Sequence, residues 1–235
     1  MATLRILSGG APQDIFKQLT PRFEKQSGHK VEFVFTVMSA LREKVAAGEP
    51  ADVLVMPTNI LDGYQKDGIV RAQGRAVLGL VSINAVVRAG APKPDLSTPD
   101  KVKAAILGAR AISHATPGET PSGTHMGKLI ETFGIADAMK GKIIHRSALR
   151  GGIEAVASGE AEIGFYPKSE VLDPRLHLAG PLPAAIQLTT IYGAAVTAKS
   201  AAPEAGQAFI AFMTDGQVSG VWNDGGFDPP GNNHA

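Results

Sequence analysis

Apolar and polar positions alternate between two periods along the chain. "LRIL" (Leu4–Leu7) is a short apolar run of strand character, ending at the turn Gly9-Gly10-Ala11-Pro12. Ile15, Phe16, Leu19 and Phe23 then fall three and four residues apart, the spacing of one helix face. Gly28 stops that helix and "KVEFVF" returns as a strand. A helix opened by Ser39 and carrying Leu41 and Val45 stops at Gly48, and the strand "DVLVM" follows. Thr58 caps a third helix that closes near Gly68. This βαβαβα order predicts a parallel sheet with right-handed crossovers.

A long apolar stretch, "AVLGLVSINAVVRAG", breaks the rhythm. Thr98-Pro99 then marks a helix start with proline at the first helical position, and this helix runs to Leu107. The strand "RAISHA", a helix from Ser122, the strand "KIIHR", a helix from Arg150 and the strand "EIGFY" make a second alternating series. A second long strand, "LTTIYGAAVTA", leads to a helix over Pro203–Met213 and a last helix containing Trp222. Two α/β series joined by two long strands predict two lobes with the chain crossing twice, near Ser82–Val87 and Thr190–Val196. Lobe one is then 1–82 plus 195–235, and lobe two 83–194; a single doubly wound domain is the alternative. The tail "DPPGNNHA" is expected to fray.

Composition narrows the function classes. The 235 residues suffice for one large or two small domains and for sizeable cores. With Lys+Arg 23 against Asp+Glu 22 and no block of like charge, the chain lacks the basic stripe that phosphate backbones require, so nucleic acid is not the expected partner. No apolar run approaches the ~20 residues that span a bilayer. With Cys 0 there is no disulfide, thiolate metal site or cysteine nucleophile. The six histidines show no HExxH and no close metal-ligand spacing, and P-loop, GxGxxG and GxSxG motifs are absent; neither metal nor cofactor is expected. Met1 and Ala2 lead directly into "TLRIL" without a signal-like segment. Two readings of this stay open, a cytoplasmic protein or a mature form with its signal removed.

Chemistry concentrates at the strand-to-helix turns, because ligands of open α/β sheets bind beyond the carboxyl ends of strands, where helix N-termini attract anions. Four turns are small and polar: Ser8–Pro12, Thr36–Leu41, Thr120–His125 and Ser147–Gly152. Each also has a structural reading, with Ser39 and Ser122 as N-caps and Gly9 and Gly10 as a tight turn. Two turns come from each expected lobe, the arrangement by which a two-lobed binder closes on a small anion across a cleft. Arg150 begins a helix, where a cation opposes the dipole; this implies an anionic partner, either a ligand or a carboxylate such as Glu154. Arg42 is a weaker case of the same kind, and Asp14 in the first helix argues against a ligand at that turn. His114 and His125 flank the Ser122 turn, where Gly123 and Thr124 would aim their amides at the anion.

At these residues a family resemblance becomes specific. "LRILSGGAPQDIFKQLTPRFEKQSGHKVEFVF", "SALREKVAAGEPADVLVM" and "GGIEAVASGEAEIGFYPKSEV" resemble the molybdate-binding type of bacterial solute-binding protein, in order and over nearly the whole chain. The resemblance implies a two-lobed class II periplasmic-binding fold, a periplasmic location, an anionic ligand and an ABC-type transporter permease as partner of a monomer. In that family serines after the first and second strands donate to the oxyanion. Those positions fall at Ala11 and Met38 here, with Ser8 and Ser39 displaced beside them. The family's backbone donors fall at Ser122 and Leu149, and its tyrosine at Pro167, with Tyr166 one residue early. The turns are therefore kept while the tetrahedral-oxyanion ligands are not, and an organic carboxylate is favoured over molybdate. "RAGAPKPDLST", "GEAEIGFYPKSE" and "AGPLPAAIQLTTIY" resemble the branch that includes aconitate isomerase.

Three functions remain in contention. A solute-binding protein needs donors and closure but no catalytic base. An isomerase of an unsaturated polycarboxylate needs cations and a base, and Arg150, Arg42, Ser122 and His125 could supply these without identifying the base. A cytoplasmic sensor on the same fold is the third.

Overall fold

The computed structural model describes residues 1–145 and 151–230. The elements run β1 (Thr3–Gly9), α1 (Gln13–Ser27), β2 (Lys30–Thr36), α2 (Met38–Ala46), β3 (Val53–Pro57), α3 (Thr58–Lys66) and β4 (Ala76–Arg88). They continue with α4 (Pro99–Gly108), β5 (Ile112–His114), α5 (Pro121–Thr132), β6 (Ile143–Ile144), α6 (Gly151–Ala157), β7 (Ile163–Pro167) and β8 (Leu176–Pro181). The chain ends with β9 (Thr189–Val196), α7 (Pro203–Met213) and α8 (Ser219–Asp224). It divides into two compact units, Met1–Val81 with Thr190–Ala235, and Ser82–Thr189. The divisions fall inside β4 and β9, the two long apolar strands.

In the first unit β2 and β3 flank β1 in parallel, with Gly9 level with Thr36 and Ile6 level with Val53. β9 pairs antiparallel with β3, which sets Tyr192 opposite Pro57. Residues of β1 alternate between two apolar layers, as strand geometry requires. Leu4 and Ile6 join Phe16, Phe23, Phe209 and Trp222 on one face, and Leu7 joins Leu41, Leu54 and Met56 on the other. α1 buries Ile15, Phe16, Leu19 and Phe23, the stripe expected from their spacing. It ends at Gly28, whose φ of 73° is left-handed and whose N–H bonds the Glu24 carbonyl. Phe16 anchors the aromatic layer, with ring centroids 5.2 Å from Phe33 and 5.7 Å from Trp222.

In the second unit β5 lies between β6 and β7, parallel to both, and β4 pairs antiparallel with β7 and with β8. α4 starts at Thr98-Pro99, where the threonine hydroxyl accepts the Lys101 N–H. β8 has no counterpart in the periodicity. Its sequence "LHLAGP" carries glycine and proline and buries only Leu176, which suits a strand paired through backbone and not through a core face. The tail 231–235 lies outside the described residues, so its expected fraying is not addressed. Among the described residues no helix is long and apolar enough to cross a membrane.

Candidate functional site

The turns after β1 and β2 lie side by side, because these strands are parallel neighbours in register. α1 and α2 start from these turns, and neither has a side-chain cap: the N-cap positions are Pro12 and Val37. In α2 the Leu41 N–H bonds the Val37 carbonyl at 2.9 Å. The amides of Met38, Ser39 and Ala40 precede that bond and are left over from the helix ladder, at the positive end of the dipole. Ser39 is thus the second helical residue and not the cap. Gly9 closes the floor of this region: a Cβ there would stand 3.0 Å from Met38 Cε and 3.3 Å from the Tyr192 hydroxyl.

The structure brings Gly9, Gly10, Ala11, Met38 and Ser39 together at one edge of the first unit's sheet, with Ala11 and Met38 buried. Ser8 is fully buried, and its hydroxyl donates to the Gly9 carbonyl at 2.8 Å. Arg42 lies on an exposed part of α2. Tyr192 has no signal in its local sequence; only the pairing of β9 with β3 carries it to this edge.

In the second unit several assignments are corrected. The cap of α5 is Thr120, not Ser122. Pro121 takes the first helical position, so the cap falls one residue before it, as at Thr98-Pro99. Thr120 Oγ1 accepts the Gly123 N–H at 3.0 Å, and the Thr120 carbonyl accepts the Thr124 N–H at 3.0 Å. The Gly123 and Thr124 amides are therefore already bonded and do not present open donors. Ser122 is buried, its hydroxyl 3.2 Å from that of Thr120. Gly123 lets α5 rest on the strand exit, since a Cβ would stand 2.4 Å from the Ala115 carbonyl oxygen and 2.6 Å from that of Thr116. Thr124 Oγ1 accepts the Gly118 N–H, and His125 Nε2 lies 2.8 Å from the Ile186 carbonyl oxygen.

Tyr166 also faces inward. Along β7, Phe165 joins the α4–α5 side of the core while Tyr166 joins the α6 side. Its hydroxyl lies 2.5 Å from Ser113 Oγ, which itself reaches the Gly152 and Ile144 carbonyls at 3.0 and 3.2 Å. Burial pushes the phenol well above its ordinary range. The hydroxyl thus stands as a buried strut under α6 in this structure. His114 is likewise buried, with its ring 4.7 Å from that of His145 and its Nε2 unpartnered. Desolvation lowers its pKa to about 4.

Ser147, Leu149 and Arg150 lie outside the described residues. Glu154, the carboxylate weighed as a partner for Arg150, is held by Arg175 at 2.6 and 3.1 Å, and that guanidinium holds its carboxyl below the usual range. Among the described residues no group of three or more His, Asp or Glu side chains could hold a metal ion. Cavities of about 670 and 650 Å³ lie at the opposite, amino-terminal strand edges of the first and second units, in part neutralised by the Arg5–Glu49 and Arg110–Glu162 pairs.

Strand-end turns, long linking strands and two α/β units are features of binding proteins, and residues 4–228 match the model of the bacterial extracellular solute-binding protein family. The chain belongs to this family. Aconitate isomerase from a Pseudomonas species is 29% identical to this solute-binding protein over 238 residues, which covers 97% of this chain and 88% of that protein. Molybdate-binding protein ModA of Azotobacter vinelandii is 27% identical over 162 residues, covering 66% of this chain and 60% of that one. The solved structure of the Azotobacter vinelandii periplasmic molybdate-binding protein matches with a TM-score of 0.80 at 19% identity, over 97% of this chain and 100% of that chain. This solute-binding protein therefore has the fold of the molybdate-binding type, as the "GEPADVLVM" and "GEAEIGF" segments imply.

Proposed function

We propose that this solute-binding protein captures a small anion at its strand-end turns, and that the anion is an organic carboxylate more readily than molybdate. The observation that carries this reading is the pair of helices without side-chain caps, α1 and α2, starting side by side beyond β1 and β2. Open amides at a helix start favour negative charge. The side chains around them do not match a bare tetrahedral oxyanion. Ala11 and Met38 are apolar and buried, and the Ser8 hydroxyl is committed to its own backbone. A thioether beside open amides suits an anion that carries carbon. Membership of the family supports an ABC-type transporter permease as partner and a site of action outside the cytoplasmic membrane.

Calorimetry and thermal shift against molybdate, tungstate, sulfate, phosphate, citrate and both aconitates test the reading. A ligand at a hundred times its Kd adds about 2.7 kcal/mol, several degrees of melting temperature. A carboxylate is expected to bind and molybdate to bind more weakly; nanomolar molybdate binding would overturn the preference. Arg150, the cation that the sequence sets at a helix start, is assigned a charge-assisted bond to the anion. Arg150→Ala is expected to cost about 2–5 kcal/mol of binding, and unchanged affinity would remove this arginine from the site.

A second reading, an isomerase of a polycarboxylate, is favoured by the 29% identity to aconitate isomerase over 97% of this chain. It requires a base. If His125 Nε2 donates to the Ile186 carbonyl, Nδ1 is its basic nitrogen. Steady conversion of trans-aconitate followed by proton NMR separates the two readings, because a transport component binds without turnover.

A further inference from the structure

We propose that a groove at the amino-terminal strand edge of the second unit is a further anion site, which takes a small polycarboxylate on Arg88, Lys93 and Arg110. The site is independent of the anion reading above, because it lies at the opposite strand edge from the turns. The groove encloses about 650 Å³ between the end of β4, the end of α4 and the turn after α6. Three of its lining side chains, Arg88, Lys93 and Arg110, are cationic, and Glu162 alone is anionic. Val87, Ala109, Ala161 and Ile163, all buried, supply an apolar floor.

Local structure sets the cations around this floor. β4 ends in a tight turn through Gly90, at φ 82°, which closes with the Ala91 N–H on the Arg88 carbonyl at 2.9 Å. Lys93 stands between Pro92 and Pro94, so the following ring holds its backbone extended. A Cβ at Gly159 would stand 3.2 Å from Arg88 Nη1, and Arg110 Nη2 donates to the Gly159 carbonyl at 3.1 Å. Two guanidiniums therefore converge on one glycine, where their charges repel unless an anion shares them. A helix C-terminus attracts a cation without any ligand, and the turn after α6 is one. Arg110 meets that demand through the Gly159 carbonyl. Arg88 and Lys93 bond no side-chain acceptor among the described residues, and the acids at hand are engaged elsewhere. Glu162 accepts the Arg110 N–H at 2.8 Å and lies 3.5 Å from its Nε, while Asp95 pairs with Lys101.

The residue types then select the ligand. A guanidinium takes a carboxylate through two parallel N–H···O bonds, and a lysine adds a compact charge. A polycarboxylate offers separate carboxylates to the arginines and to Lys93 while its carbons lie on the apolar floor. Inorganic phosphate answers the charge but leaves that floor uncovered. Arg88, Lys93 and Arg110 are all exposed, so binding here weakens as salt rises.

The test is an amide-detected NMR titration of the full chain with citrate, inorganic phosphate and chloride. Wild type is compared with Arg88→Lys and with the double variant Arg88→Ala, Lys93→Ala. Citrate is expected to give saturable shifts at Ala91, Lys93 and Gly159, and phosphate a weaker response. The double variant is expected to weaken citrate at these amides about 10-fold or more, and Arg88→Lys about 3-fold, because it keeps the charge and loses the fork. Both side chains are exposed, so circular dichroism and melting temperature should match wild type. Non-saturating shifts that chloride reproduces at equal ionic strength would reveal an ion atmosphere only and overturn the site. Saturable citrate shifts that the double variant leaves unchanged would overturn it too, and phosphate bound as tightly as citrate would overturn the polycarboxylate assignment. Citrate shifts confined to the turns after β1 and β2 overturn this site and leave the anion reading intact.

Discussion

Removing the hydroxyl of Ser113 should harm the second unit more than removing that of Tyr166, although the two share one hydrogen bond. Both groups are buried, Ser113 at 0% and Tyr166 at 3% exposure, and their oxygens are 2.5 Å apart. Ser113 Oγ also reaches the Gly152 carbonyl at 3.0 Å and the Ile144 carbonyl at 3.2 Å. With two carbonyls to serve, the serine proton goes to one of them and the phenol donates to the serine. Tyr166→Phe deletes that donor and leaves Ser113 with its carbonyl bond, a loss of about 1 kcal/mol. Ser113→Ala deletes the carbonyl bond and strands the Tyr166 O–H without an acceptor, which adds desolvation and brings the cost to about 2–4 kcal/mol. The double variant has no stranded hydroxyl, so it should be no worse than Ser113→Ala alone, a coupling of about 1 kcal/mol or more. Thermal melts read these differences as about 2–4 °C per kcal/mol for a chain of this size, with urea titrations as an independent check. A Ser113→Ala protein no less stable than Tyr166→Phe, or effects that simply add, would show that the phenol finds another acceptor and would refute the strut.

Thr120→Ala should destabilise by about 1 kcal/mol and Ser122→Ala by a few tenths, since Thr120 is the cap; reversed magnitudes in urea unfolding would restore Ser122 to that role. Gly123→Ala should cost more than about 2 kcal/mol despite gaining up to about 1 kcal/mol of helix propensity, because the added methyl meets backbone carbonyls that cannot rotate away; a melting temperature at or above wild type would contradict the close approach. His114 has its pKa lowered from 6.5 to about 4, so its contribution to stability is full above 6.5 and is lost as pH falls toward 4. The span amounts to about 3 kcal/mol, and urea unfolding of wild type and His114→Gln between these limits should show a flatter pH dependence in the variant.

Local periodicity alone determined much of the scaffold. The α1 stripe of Ile15, Phe16, Leu19 and Phe23, the stop at Gly28, the start at Thr98-Pro99 and the span of α7 depend on neighbours within a few residues, so their chemistry is written in adjacent positions. The same holds for β4 and β9, whose length and largely apolar sequence mark them as long, largely buried strands. Thr120 was within reach of the same proline rule that located Thr98, but the polarity of "PSGTH" pointed to Ser122 instead. The candidate site was legible as a set of turns and not as a set of side-chain directions. That the Ser8 hydroxyl is spent on the Gly9 carbonyl is a matter of side-chain direction, which periodicity does not give. Tyr166 turns from a ligand candidate into a buried strut because Ser113, 53 residues earlier, stands beside it on a neighbouring strand. Tyr192 reaches Gly9 only because β9 pairs antiparallel with β3 while β3 lies beside β1. Strand register is a sum of many weak pairings distant in sequence, so where a buried side chain points is decided by the tertiary structure, while the existence and type of each helix and long strand are decided locally.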